Sequence, residues 1–76
     1  MESSESDIGW AVMTMKEGWK VRRLGWNGKG MWVAIQNPDE NSKMKDSYVY
    51  MSPVDGKLIP WLCSQKDLLA TDWELA

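Results

Sequence analysis

The sequence predicts an α+β fold: a small antiparallel β-sheet with an N-terminal helix and a short C-terminal helix, homo-oligomeric. Three observations carry this reading. Apolar residues at helical spacing follow a good capping residue near the N-terminus, and short runs of alternating apolar and polar residues come after them. Asp55-Gly56 then gives a type I′ hairpin signal between two such runs. The third observation is what the chain lacks. A domain of 76 residues needs a staple to exceed a net stability of roughly 3–5 kcal/mol. Cys63 is alone and histidine is absent, so neither an intrachain disulfide nor a zinc cluster supplies one. Six tryptophans and six methionines make self-association the remaining staple.

Residues 1–7, with Glu2, Glu5 and Asp7, read as a flexible acidic N-terminus, and residues 8–76 as one α+β domain. Asp7 is a suitable N-cap for a helix over Ile8–Glu17, which Gly18 ends. Ile8, Ala11, Val12 and Met15 share its core face, whereas Trp10 and Met13 fall on the outward side and suggest a subunit contact. Lys20–Leu24 reads as a strand with Val21 and Arg23 on one face and Arg22 on the other. The Gly25–Gly30 turn leads into the clearest strand, Met31–Gln36, in which Trp32 takes a core position. Residues 37–46 are a polar loop. Ser47–Met51 reads as a strand that Pro53 confines to a sheet edge or ends in a bulge, and the hairpin returns through Lys57–Pro60. Ser64 and Asp67 have capping-box spacing and start a short helix from Gln65 to about Ala70. Asp72–Leu75 alternates as a last strand.

Charge narrows the function classes. The net charge of −2 argues against binding a long polyanion. Yet Lys16, Lys20, Arg22, Arg23 and Lys29 are opposed only by Glu17 between positions 16 and 29. That local excess reads either as a solvated strand face or as a site for a small anion with one or two phosphates. An acidic start does not resemble a signal peptide, no run of about 18 apolar residues could span a membrane, and a single cysteine suits a reducing cytoplasm.

No catalytic constellation is evident, since a chain without histidine has no base poised near neutral pH. Cys63, beside Trp61 and Leu62, reads as a small buried thiol. Asp67 with Asp72, and Asp39 with Glu40, read as solvated carboxylates. The glycine-rich stretch has neither the ending of a phosphate-binding P-loop nor the spacing of a dinucleotide fingerprint. Binding is better supported. Trp26 and Trp61 offer planar faces to a ring, Asn27 and Gln65 offer amides, and Ser64 opens a helix whose free N–H groups favour an anion. The same tryptophans would also serve as core, and Gly25–Trp32 would then be an ordinary strand-joining turn.

Three blocks carry a resemblance over about residues 8–75: the opening helix with Lys16-Glu-Gly-Trp-Lys-Val21, then Arg23-Leu-Gly-Trp-Asn-Gly-Lys-Gly-Met-Trp32, and Asp55-Gly-Lys57 followed by Pro60-Trp-Leu-Cys-Ser-Gln-Lys-Asp-Leu-Leu-Ala-Thr-Asp-Trp73. The chain resembles the small phage and prophage proteins of the second Thoeris anti-defence type. That resemblance implies a non-enzymatic sponge without cofactor or metal, a homotetramer in the cytoplasm of the infected host. It implies sequestration of a cyclic ADP-ribose isomer and, in some members, of the cyclic oligonucleotides of CBASS-type immunity. Carried over, Trp26 and Trp61 stack on adenine. Asn27, Gly28, Lys29 and Gly30 line ribose and phosphates, with Arg23 in the same basic stretch. Ser64, Gln65 and Asp67 close the pocket near a subunit interface. Two departures stand out, because the family often has Glu where Trp10 stands and a small residue such as Ala where Cys63 stands. The alternatives are a small nucleic-acid-binding or phage structural module, and an inhibitor that grips a protein through Trp10 and Met13.

Overall fold

The computed structural model describes residues 6–26, 30–43, 45–53 and 55–76. Its elements are α1 (Ile8–Lys16), β1 (Val21–Arg23), β2 (Trp32–Gln36), β3 (Tyr48–Ser52), β4 (Ile59–Pro60), α2 (Gln65–Leu68) and β5 (Trp73–Leu75). The strands form one antiparallel sheet in the order β4-β3-β2-β1-β5. The α+β class with an N-terminal helix and a short late helix is therefore as the sequence predicts.

Local chemistry explains the first helix. The Asp7 side chain accepts the Trp10 N–H at 2.9 Å, satisfying one of the free donors of the first turn. Beyond Lys16 the chain leaves the helix at Gly18, whose φ of 100° is open to glycine without strain. Ala11 and Met15 are buried, with Ile8 and Val12 packed beside them, as the helical spacing predicts. Trp10 differs from expectation: it is half-buried and packs against the same core. A long indole on a helix flank can lean back over the preceding turn and reach the core. Met13 does face outward, 67% exposed.

Register decides the two faces of the sheet. Directly paired residues of antiparallel strands point to the same side. Leu75, Val21, Val33, Met51 and Ile59 thus form one row across all five strands. α1 packs on this side, against β5, β1 and β2. The core is small: Ala11, Met15, Val21, Val33 and Trp73, with Trp26, Trp61, Ile35, Val49 and Met51 around it. The opposite face carries Trp32, Ala34, Gln36, Tyr48, Tyr50 and Arg22. Trp32 is consequently not part of the core. It alternates away from Val33, meets Tyr50 edge-on at 5.7 Å, and holds Lys20 Nζ 4.4 Å above its ring.

Four further expectations are corrected. β3 is not an edge strand, because β2 and β4 flank it; Pro53 lies just beyond its last residue, where a missing N–H costs no ladder bond. The turn at Asp55-Gly56 is not type I′, which needs positive φ at both central residues. Only Gly56 has it, at 79°. Instead the Gly56 N–H donates to the Pro53 carbonyl at 2.9 Å, and the Asp55 carboxylate accepts the Lys57 N–H at 3.0 Å. α2 ends at Leu68 rather than near Ala70, its last bond running from Ala70 N–H back only three residues to Asp67. Ser6, grouped by sequence with the polar start, is bound to the fold. Its N–H donates to Thr71 and its carbonyl accepts from Trp73 at 3.1 Å.

Candidate functional site

Four of the sequence-designated residues, Arg23, Trp26, Trp61 and Asp67, meet at one corner of the helix-bearing face, where the end of β1, α2 and the start of β5 come together. Arg23 stands at its centre with its side chain only 11% exposed. Its Nη1 donates to Asp67 Oδ1 at 2.7 Å, while Nε and Nη2 donate to Asp72 Oδ1 and Oδ2 at 2.7 and 3.2 Å. Asp72 thus receives a two-pronged grip, the strong form of this pairing. Asp67 Oδ1 also accepts the Trp26 indole N–H at 3.1 Å, and Asp72 Oδ2 the Gly25 N–H at 2.9 Å. One guanidinium therefore ties together two carboxylates, an indole and the first residue of the glycine-rich stretch.

Each ionisation state follows from this wiring. Burial works against the Asp67 charge, but hydrogen bonds from Arg23 and Trp26 outweigh it and hold the carboxyl below its ordinary range. Asp72 is held low chiefly by Arg23, against a smaller effect of burial and with help from the Gly25 N–H. Hydrogen bonds to Asp72 first and Asp67 second keep the Arg23 proton bound even more firmly than usual. These groups are locked as ions, which suits a fixed scaffold better than proton transfer. Asp67 and Asp72 are accordingly not the solvated carboxylates that the sequence suggests.

The aromatic side of the corner is a cluster of three indoles. Trp26 and Trp61 meet with centroids 6.4 Å apart and planes at 68°. Each also touches Trp73, at 5.5 and 5.9 Å, again edge to face. Such contacts are favourable between ring edges and faces, but within one subunit they leave no parallel slot between Trp26 and Trp61. Both remain partly accessible, so each can offer one face. Trp73 is buried and donates its Nε1–H to the Asp67 carbonyl at 3.3 Å.

The remaining designated residues divide. Ser64 caps α2, its Oγ accepting the Asp67 N–H at 3.1 Å. The reciprocal arm of a capping box is missing, because the Asp67 carboxylate turns to Arg23 and Trp26. Ser64, Gln65 and Gly30 are exposed. Asn27, Gly28 and Lys29 lie outside the described residues. Cys63 is exposed rather than buried; partial desolvation, then the charge of Asp67, push its thiol up, which leaves little reactive thiolate.

Most of the basic excess noted in the sequence is already engaged. Arg23 serves two aspartates, Arg22 pairs with Glu74 at 2.6 Å, and Lys20 covers Trp32. The sequence did not single out Asp72 or Trp73 for the site. The available signal was two aspartates five residues apart, the second directly before Trp73, with two adjacent arginines, Arg22 and Arg23, earlier in the chain.

A second concavity lies on the other face. Gln36, Tyr48, Tyr50, Leu58, Ile59 and Pro60 line a groove of about 180 Å³, and Pro38, Ser42 and Lys43 continue it past Tyr48 into a hollow of about 230 Å³. Each is smaller than an ordinary pocket for a drug-sized ligand.

No helix among the described residues is long and apolar enough to cross a membrane. The family profile of the Thoeris anti-defense 2-like domain matches residues 6–76. Thoeris anti-defense 2 of Bacillus phage SP01 is 28% identical over 85 aligned residues, covering 95% of this chain and 96% of that protein. The chain, matched from Ser6 to Ala76, belongs to the Thoeris anti-defense 2-like family.

Proposed function

We propose that this protein is a phage anti-defence sponge. It sequesters a cyclic ADP-ribose-type immune signal, and cyclic oligonucleotides of CBASS-type immunity, without degrading them. It acts without catalysis, as a homotetramer in the cytoplasm of the infected bacterium. The single observation that carries this reading is the pre-oriented indole of Trp26. Asp67 fixes it beside Trp61, at the entrance to the glycine-rich stretch, in a domain of an anti-defence family.

A sponge acts by stoichiometry and must bind tightly, with nanomolar capture corresponding to about −12 kcal/mol. Preformed aromatic faces reduce the ordering cost of binding. Each indole stacks on one side of a planar base, and a second copy supplies the opposing wall. Gln65, Ser64 and the Asn27–Gly30 segment meet riboses and phosphates. Leu62 and Leu69, 92% and 76% exposed around Trp61 and α2, suit such self-association.

The test is to incubate the protein with a panel of cyclic ADP-ribose isomers and cyclic dinucleotides, isolate it, release bound material by heat, and identify that material by mass spectrometry. An unmodified cyclic nucleotide is the expected product. A cleaved one would make the protein an enzyme, and none at all from the panel would remove the sponge reading. The nucleic-acid alternative predicts binding to an oligonucleotide that weakens steeply with salt; the intramolecular partners of Arg22 and Arg23 argue against it.

A further inference from the structure

Gly25 poses a question that backbone conformation does not answer. Its φ is not in the left-handed region, so an L-residue would not be strained there. Crowding supplies the reason for glycine. A Cβ at position 25 would come within 3.0 Å of Arg23 Nη2 and 3.1 Å of Asp72 Oδ2. The position is closed by the ion pair itself.

Asp72 touches this segment twice. Its carbonyl accepts the Leu24 N–H at 3.1 Å, and its carboxylate accepts the Gly25 N–H at 2.9 Å. On its other side Asp72 makes a parallel bridge to Ser6, which joins the chain start to the same point. Arg23 then passes the constraint on. With Nε and Nη2 anchored on Asp72, Nη1 is aimed at Asp67 Oδ1, the atom that also receives the Trp26 indole.

We propose that Asp72 is a positioning residue for ligand capture, and that Asp72, Arg23 and Gly25 form a latch setting both where the glycine-rich stretch leaves the sheet and how the Trp26 indole faces its ligand. This rests on the sponge reading for the ligand, but not for the latch. Asp72 itself need not touch the ligand. Its effect is transmitted through one backbone N–H and one guanidinium.

Two variants test it in different ways. Asp72→Asn removes the charge and half of the two-pronged grip. Gly25→Ala keeps every charge and presses on Arg23 Nη2 and Asp72 Oδ2 by volume alone, so that the ion pair must shift by a few tenths of an ångström; it also serves if Asp72→Asn fails to fold. Each is examined as the full ¹⁵N-labelled chain, with the Ala11 and Val33 amide resonances reporting an intact core. The latch predicts that the Trp26 indole N–H resonance moves upfield as its bond to Asp67 lengthens. It also predicts that the dissociation constant for the cyclic ADP-ribose isomer captured by the unmodified protein rises at least tenfold by calorimetry. Unchanged affinity in both folded variants overturns the proposal, as does an unmoved Trp26 indole. If the unmodified protein captures no isomer, the sponge reading fails by itself, and the indole resonance alone upholds or overturns the latch.

Discussion

Two aromatic clusters lie on opposite faces of this sheet, and their polar partners set them apart. On the helix-bearing face, Trp26, Trp61 and Trp73 meet edge to face beside a shared ion network. On the other, Trp32 and Tyr50 make one edge-on contact beneath a lysine. The first cluster has an indole N–H fixed by a carboxylate that is itself fixed by an arginine, so ring orientation is specified. The second is held by a flexible ammonium on a four-carbon stem, which contributes only about 0.5–1 kcal/mol at an exposed site. Similar residue types therefore yield one rigid, oriented platform and one adaptable surface. Recognition of a single small ligand calls for the former.

The comparison breaks most visibly at the residue that joins the rigid cluster to the core. Trp73→Ala removes a buried indole and should destabilise by about 3–5 kcal/mol, enough to unfold much of so small a domain, as read from its urea midpoint. Arg23→Ala strands two partly buried carboxylates and should cost about 3 kcal/mol on the same measurement. A loss below about 1 kcal/mol would show that the network is no more than surface decoration.

Acid should act on the same network. Asp67 and Asp72 have folded-state values below the ordinary 3.8, so the unfolded chain takes up protons first as pH falls. Their stabilisation is complete above that ordinary value and is lost as pH drops through the lowered ones. Urea midpoints should stay level from neutrality to about pH 5 with respect to these two groups and then decline. In Arg23→Ala the decline should be much shallower.

Binding sharpens the contrast further. Trp26→Ala or Trp61→Ala should weaken capture of a cyclic ADP-ribose isomer by about 5- to 150-fold without unfolding the chain, because a stacked ring is worth about 1–3 kcal/mol. Tyr50→Ala, on the opposite face, should leave the dissociation constant unchanged. Reversal of these two results in calorimetry would move the site to the Tyr48–Tyr50 groove. The smallest effect belongs to Lys20→Ala, expected to lower stability by less than about 1 kcal/mol.

Much of the fold was legible because its causes are local. Asp7 caps α1 three residues away, Ser64 caps α2 at the same distance, and alternation in β2 and β3 places Val33 and Val49 toward the helix. Trp32 was misplaced because alternation tells which residues share a face, not which face α1 will cover. The hairpin was mistyped because Asp-Gly fits more than one turn, and the choice depends on how many residues separate β3 from β4.

The candidate site was legible only in part. By itself the sequence determined the residue types, the clustering of Trp26 with a glycine-rich stretch, and the family, since these reside in contiguous blocks. Tertiary structure alone decided that Arg23 turns inward to Asp67 and Asp72, 44 and 49 residues away, rather than outward to a phosphate. It also decided that Trp26 and Trp61 meet edge to face rather than as two parallel walls. The physical reason is the same for both: side-chain direction and charge pairing depend on which strand lies beside which, and the pairing of β1 with β5 joins the early part of the chain to its end.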